Sequence, residues 1–472
     1  MKDTFFESEE FKENLKKWED AVASGSSIYL ESDVLTDIAE YYHSKEKNEE
    51  SIRVNDYALN LFPGATAPLL FRSRWTLLIE KDVEKSTEYL EKVDDKTDLE
   101  YYYMKAEILI FQGKEKEADQ YLEENIENIS QEDKEDYFID VAELFCDYEC
   151  WKYTSKWLAY SSKKNDTDYR EVEASTAIGK GEWQKGENIL NQLLDENPYD
   201  STYWNQLAAS QFAHNNISDA IKSSEYAIAI NPNDYEAIMN KANGLMQLYN
   251  YEEAEKYYRR FVSLRPSEEA GELFLGIALM NEGKLEESFT HLQKALENAT
   301  EDSINRGEIL KQIGFGLSKL NRLDEAMQYL NEAEKIAINK NEINLIKGHI
   351  NLEHNKLDEA EKYFNIALQK SHHPTTTLIH IGISYFDNQQ YHTAYEKFLA
   401  SKAQADDDWA NGYPYLALCA WKLQDKNFFE YTDKAVEHNP EVTKALFQEL
   451  FPEEMTLEDM LEYMRKHFNN KI

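Results

Sequence analysis

Five histidines, His349, His354, His372, His373 and His380, gather in one short stretch. Imidazole is a common zinc ligand and changes charge near neutral pH. A zinc site would need a third or fourth ligand, so packed or solvated histidine is the simpler reading. Glu40-x-x-His43 has the spacing of a carboxylate-bridged metal helix, but such centres need a second copy and further glutamates, and no second copy is found. Cys146 and Cys150 lie four apart, as if one turn apart on one helix. That spacing suits redox or metal chemistry, yet buried reduced thiols account for it more simply. There is no phosphate cradle. Gly314-Phe-Gly316 lacks a third glycine, and Gly113-Lys114 runs into Glu115 rather than a hydroxyl residue. Gly-x-Ser-x-Gly and His-Glu-x-x-His are absent. These residues therefore point away from an enzyme, a bound metal or a cofactor.

The elements that hold them repeat. From Ser201 to Pro232 two short amphipathic helices fit, with Asn215-Asn216 at the turn and Asn231-Pro232 as a stop. Ala208 and Ala220 let the two backbones approach. Equivalents of Ala220 follow at Ala254, Ser288, Ala326, Ala360 and Ala394, in steps of 34, 34, 38, 34 and 34. Backwards they are Gly186, Thr154, Ala118, Ser86 and Ser51, in steps of 34, 32, 36, 32 and 35. A fixed period in this range means an array of stacked units.

The unit resembles the tetratricopeptide repeat, whose pattern is W-x-x-L-G-x-x-Y, then A-x-x-x-F, then A, then P. Trp204, Leu207, Ala208, Ala220, Ala227 and Pro232 match it. So do Leu275-Gly276, Ile313-Gly314 with Ala326 and Ala333, Gly348 with Ala360, Phe364 and Ala367, and Gly382 with Tyr385, Ala394 and Phe398. The first five units match mainly in spacing. The resemblance implies an all-α, right-handed α-solenoid of about twelve helix–turn–helix repeats with capping helices at its ends. The expected division is an N-terminal cap over 1–31, the array over 32–440 and C-terminal capping helices over 441–472.

Composition agrees. Hydrophobic residues are 42% of the chain, while 9 prolines and 16 glycines leave little room for long loops. The 31 tyrosines and 21 phenylalanines fill space between helical layers. Against 90 acidic residues stand 51 basic ones, a net charge of −39 that repels phosphate backbones and anionic membrane faces. Nucleic acid and membranes are thus not expected partners. No signal-type apolar segment opens the chain and no run is long enough to span a bilayer, so the expected compartment is the cytoplasm.

At the N-terminus a helix over Phe5–Ala23 presents Phe11, Leu15, Trp18 and Val22, and Gly25-Ser26-Ser27 breaks it. The one long step carries extra residues between Ala299 and Gly307. These make either a longer loop, a possible joint between two halves, or an added turn of helix, the latter favoured. The last unit, near Leu416 to Val436, has Phe428 or Phe429 where a small residue is expected. Val442, Leu446, Leu450 and Phe451 form a helix ended by Pro452, and Thr456-Leu-Glu-Asp459 starts a final one as a capping box.

In the resembled family the first helix of each unit lines a concave groove that holds peptides, and some members clamp a C-terminal carboxylate with lysine and asparagine. Here the corresponding positions hold Asn205 and Ala209, Met239 and Asn243, Leu273 and Ile277, or Lys311 and Phe315, so no unit supplies the pair. Inward positions instead hold Phe71, Leu78, Tyr103, Ile139, Met239, Met246, Leu273, Ile277, Met280, Phe315, Leu345, Leu352, Ile379, Ile383 and Phe386. Neighbouring helices cover some of them. The candidate peptide groove is Met239, Asn243, Met246, Leu273, Ile277, Met280, Phe315, His349, Ile379, Ile383 and Phe386, rimmed by Glu236, Glu308 and Glu342. The expected role is a non-enzymatic scaffold that binds an apolar or apolar-basic protein segment. The alternatives are a self-assembling homo-oligomer whose groove takes its own terminus, through Phe447, Phe451 and Met460, and a metal-dependent regulator.

Overall fold

The computed structural model describes residues 5–6, 8–45, 47–337, 339–405, 409–448, 451 and 455–468. Among them are 27 α-helices and no strand. Twenty-four of the helices pair into twelve antiparallel hairpins, numbered here in chain order. The chain divides at Ile230/Asn231 into two compact units.

The first unit opens with the helix Glu9–Ser24. It starts later than Phe5 because the Ser8 hydroxyl caps it, accepting from the Phe11 amide at 3.2 Å. It buries Phe11, Trp18 and Ala21, while Val22 stays exposed. Six hairpins follow: Ser32–Ser44 with Asn48–Leu61, Thr66–Leu78 with Val83–Glu91, Leu99–Phe111 with Glu115–Asn125, Lys134–Asp147 with Trp151–Leu158, Thr167–Gly179 with Trp183–Glu196, and Ser201–Ala213 with Ile217–Ile230.

The second unit has six more: Tyr235–Gln247 with Tyr251–Leu264, Glu269–Asn281 with Leu285–Asn298, Arg306–Lys319 with Leu323–Ile336, Lys340–Glu353 with Leu357–Gln369, Pro374–Asp387 with Tyr391–Lys402, and Tyr413–Leu423 with Phe428–His438. Two helices, Pro440–Gln448 and Leu457–Phe468, close it. Asn439-Pro440 acts twice, ending one helix and supplying the first residue of the next. Leu450 and Pro452 lie outside the described residues. The Asp459 amide donates to the Thr456 hydroxyl at 3.2 Å, and that hydroxyl donates to the Asp459 carboxylate at 2.6 Å. Phe447 and Met460 are fully buried in the core they share with the twelfth hairpin, and Phe451 is half-buried beside them.

Local rules explain the hairpins. First helices of hairpins three, five, six and seven start on Asp98, Asp166, Asp200 and Asp234, whose carboxylates accept from backbone amides of the first turn. Hairpins two to twelve turn on one left-handed residue, such as Gly113, Asn215, Tyr249, Gly283 or Gln389. The next amide bonds five residues back, as from Asn216 to Gln211 (2.7 Å) and from Lys284 to Leu279 (2.9 Å), which satisfies carbonyls the helix end would orphan. Glu149 is one of these residues, at φ 56°. Cys146 therefore lies in the last turn of one helix and Cys150 precedes the next, so the two thiols do not share a helix. Burial pushes the Cys146 thiol up to about 11 and Cys419 up to about 12, which keeps both unreactive.

The periodic small residues sit where the two helices of a hairpin cross. Ala220, Ala254, Ala326, Ala360 and Ala394 have no exposed surface. Where the residue is serine, its hydroxyl donates to the facing helix backbone: Ser51 to the Ala39 carbonyl and Ser288 to the Gly276 carbonyl, both at 2.7 Å. A Cβ on Gly348 would meet the Phe364 ring at 2.3 Å. In the twelfth hairpin Phe428 takes the small position and is buried against Trp421, 5.2 Å between ring centroids. Residues 299–305 form a loop, not a helical turn. Ser303 and Asn305 donate to Glu269 at 2.8 and 3.3 Å, tying the loop to the eighth hairpin.

Candidate peptide-binding groove

One residue past the small crossing residue of each first helix runs a second column of side chains. In the second unit this column reads Asn243, Ile277, Phe315, His349 and Ile383, all half-buried. Three of them, Phe315, His349 and Ile383, meet in one cavity of ≈ 780 Å³ on the first-helix face of hairpins nine to eleven. Leu345 and Ile346 add apolar wall, and His372, His373 and His380 stand around the mouth. His349 and His380 thus share a cavity, as adjacent first helices require. Among the described residues no group of three His, Cys, Asp or Glu side chains is placed to hold a metal ion.

The charges of this cavity are largely internally paired. Lys311 bridges Glu308 at 2.6 Å and Glu342 at 2.7 Å, so two of the three expected rim carboxylates are compensated. Glu236 remains at the seventh hairpin, where burial raises its pKa. Below the rim, Lys319 pairs with Glu353 at 2.6 Å and lies over the Phe315 ring, 5.0 Å from its centroid. His349 approaches the same carboxylate at 3.5 Å. His349 and then Lys319 hold Glu353 down at about 2, against the opposing effect of burial. Phe315 and His349 are therefore fixed from beneath by one ionic link between hairpins nine and ten.

The remaining candidates do not all reach this surface. Leu273 is 1% exposed and packs with Leu292 and Ala295, so it belongs to the core. Tyr103, Ile139 and Leu352 are buried as well. The reason is spacing: Leu273 and Ile277 share a helical stripe, and the neighbouring helix reaches only the first. Asn243 accepts from the Tyr258 hydroxyl at 2.8 Å and serves its own hairpin. Met239 and Met246 are half-buried, and Met280 turns towards Gly316 of the next first helix. Ile379 and Phe386 are half-buried beside the cavity, packed on the core that holds Tyr385 and Phe398. Leu345 and Ile346 escaped the candidate set or its emphasis, although their register, three and two before Gly348, identifies them.

Models of the tetratricopeptide repeat match residues 99–128, 235–268 and 267–339. The chain carries tetratricopeptide repeats over these stretches. Among solved structures it is similar to MamA from Desulfovibrio magneticus RS-1, with 16% identity, a TM-score of 0.33, and 35% of this chain covering 92% of that one. A tetratricopeptide repeat protein from Parabacteroides merdae ATCC 43184 aligns at 14% identity and a TM-score of 0.45, over 53% of this chain and 97% of that one. The Cut9–Hcn1 hetero-tetramer of the APC/C aligns at 12% identity and a TM-score of 0.36, over 95% and 94%. No curated protein matches the chain. No helix among the described residues is long and apolar enough to cross a membrane. In these tetratricopeptide repeats the crossing residues carry the fold, and the second column of the first helices is where chemistry varies.

Proposed function

We propose that the chain is a non-enzymatic protein-interaction scaffold whose second unit seats a segment of a partner protein on the first helices of hairpins nine to eleven. The observation that supports this most is the ≈ 780 Å³ cavity, whose apolar floor of Phe315, Leu345 and Ile383 is ringed by polar groups such as Asn341 and His380. Cavities of a few hundred to about 1,000 Å³ with few polar groups suit side chains and small ligands. An extended or helical segment would place apolar anchors on that floor. Because Lys311 compensates Glu308 and Glu342, the segment expected here is apolar rather than strongly basic.

A photo-crosslinking residue at Ile383, compared with one at the exposed Leu357 on the second helix of hairpin ten, tests the reading in the native host. A partner should be captured at 383 and not at 357. A synthetic peptide spanning the crosslinked segment should then bind the wild type, and Ile383→Glu should weaken it by about tenfold or more. Capture at 357 alone would refute this placement.

A further inference from the structure

The first unit carries a groove with different chemistry. On the first-helix face of hairpins one and two, a cavity of ≈ 650 Å³ is lined by Leu70, Phe71, Trp75 and Leu78. Phe71 and Trp75 lie 6.2 Å apart by ring centroids, and the His43 ring meets Trp75 at 5.1 Å. Leu78 and Ile79 are 41% and 51% exposed, an open apolar edge beside an aromatic floor.

Its walls are acidic. Asp33, Asp37 and Glu40 come from the first hairpin and Glu100 from the third. The acidity continues along the same helix face with Glu107 on the third hairpin and Asp140, Glu143 and Asp147 on the fourth. Arg74 is the cation among them, its Nε donating to Glu107 at 2.9 Å while the Tyr148 hydroxyl donates to the same carboxylate at 3.1 Å. Tyr103 donates to Asp140 at 2.9 Å. Asp140, Glu143 and Asp147 are each shifted upwards from their ordinary values, by desolvation first and then by neighbouring carboxylates, with the Tyr103 hydrogen bond opposing the shift at Asp140. All three are exposed, and Asp140 and Asp147 both oppose the charge of Glu143 between them, a repulsion that an incoming cation relieves.

We propose that this groove docks a basic amphipathic segment of a partner protein, with apolar side chains seated on Phe71 and Leu78 and lysines or arginines over Asp140, Glu143 and Asp147. A second copy of the chain is a poor source of such a segment, since the chain has 90 acidic residues against 51 basic. The proposal is independent of the cavity in the second unit, where the acidic rim is paired.

The probe is a fluorescein-labelled synthetic peptide of leucine and lysine in an amphipathic helical pattern, titrated by anisotropy against the full chain. Two controls accompany it: a scrambled peptide of the same composition, and one with glutamate for lysine. Saturable binding of one peptide per chain is expected, falling as salt rises. Phe71→Ser with Leu78→Ser should weaken it by about tenfold, as should Asp140→Asn, Glu143→Gln and Asp147→Asn together. Ile383→Glu should leave it unchanged, and the glutamate peptide should not bind. If the double serine variant loses helicity, Leu78→Ser alone replaces it, with an expected loss of about threefold. Absence of binding, equal binding of the scrambled peptide, or indifference to the serine changes would overturn the proposal, the last two showing charge adsorption without a groove.

Discussion

Gly314 and Gly316 lie two residues apart on the helix Arg306–Lys319, and alanine at each should move stability in opposite directions. Alanine is better than glycine in a helix interior by about 1 kcal/mol, and both variants share that gain. The space entered by the methyl group differs. At Gly316 the new Cβ would lie 3.6 Å from Met280 Cε and 3.9 Å from its Sδ, ordinary contact with the flexible end of a side chain. At Gly314 it would lie 2.6 Å from Leu330 Cγ, 2.9 Å from Cδ2 and 3.2 Å from the Ala326 carbonyl oxygen. Leu330 has no exposed surface, and the carbonyl is backbone, so neither can retreat alone. Overpacking of this kind costs about 1–3 kcal/mol. Gly316→Ala should therefore stabilise by about 0.5–1 kcal/mol, and Gly314→Ala should destabilise by about 1 kcal/mol net. Urea unfolding followed by far-UV circular dichroism reads both. Because an array of repeats need not unfold in one step, hydrogen exchange over residues 306–336 localises the change. Equal shifts of the same sign would refute the reasoning, since helix propensity alone would then govern both sites.

Three further outcomes follow from the same structure. Tyr249 is 79% exposed and turns the seventh hairpin at φ 59°, so Tyr249→Gly should raise the melting temperature, with a gain of about 0.5–1 kcal/mol, unless the turn is not left-handed in solution. Glu353 has a depressed pKa, so its contribution is complete above the ordinary value of 4.5 and is lost as pH falls towards about 2; Glu353→Gln should flatten that part of the acid-unfolding curve, and an unchanged curve would contradict the Lys319 link. Glu143 has the opposite shift. Its charge opposes folding above its raised pKa, so Glu143→Gln should raise the melting temperature at pH 7, and the gain should vanish as pH falls through the carboxylate range.

The hairpin period was legible because two backbones that nearly touch admit only small residues. The Ser51 and Ser288 hydroxyls, bonded to carbonyls of the facing helices, show how close that approach is. Turn chemistry was less legible. Asn215 and Gly283 announce left-handed residues, whereas Glu149, Tyr249 and Gln389 do the same work without the expected signal. That is why the Cys146–Cys150 spacing read as one turn of one helix. The split between Leu273 and Ile277 was also out of reach, because both lie on one stripe and only the packing of the next helix separates them. Lys311 shows the same limit for charge: its partner Glu342 is 31 residues away in sequence and becomes a neighbour only once hairpins nine and ten are stacked.

The column one past the crossing residue carries the functional argument furthest. It reads Glu40, Arg74, Glu107 and Glu143 through the first four hairpins, and Ile277, Phe315, His349 and Ile383 through hairpins eight to eleven. Each hairpin is stabilised mainly by its own crossing and by its immediate neighbours, so this column can change without disturbing the fold. Under the two dockings proposed above, a column kept in place but opposite in character would suit the two units to different surfaces. Charge repulsion among Asp140, Glu143 and Asp147 is then a local stability penalty confined to the unit that would receive a basic segment. The paired carboxylates of the second unit, bridged by Lys311 and Lys319, carry no such penalty and leave its apolar floor as the feature to be recognised. Exchanging the charged column of one unit for the apolar column of the other should therefore transfer peptide preference while the hairpins themselves stay folded.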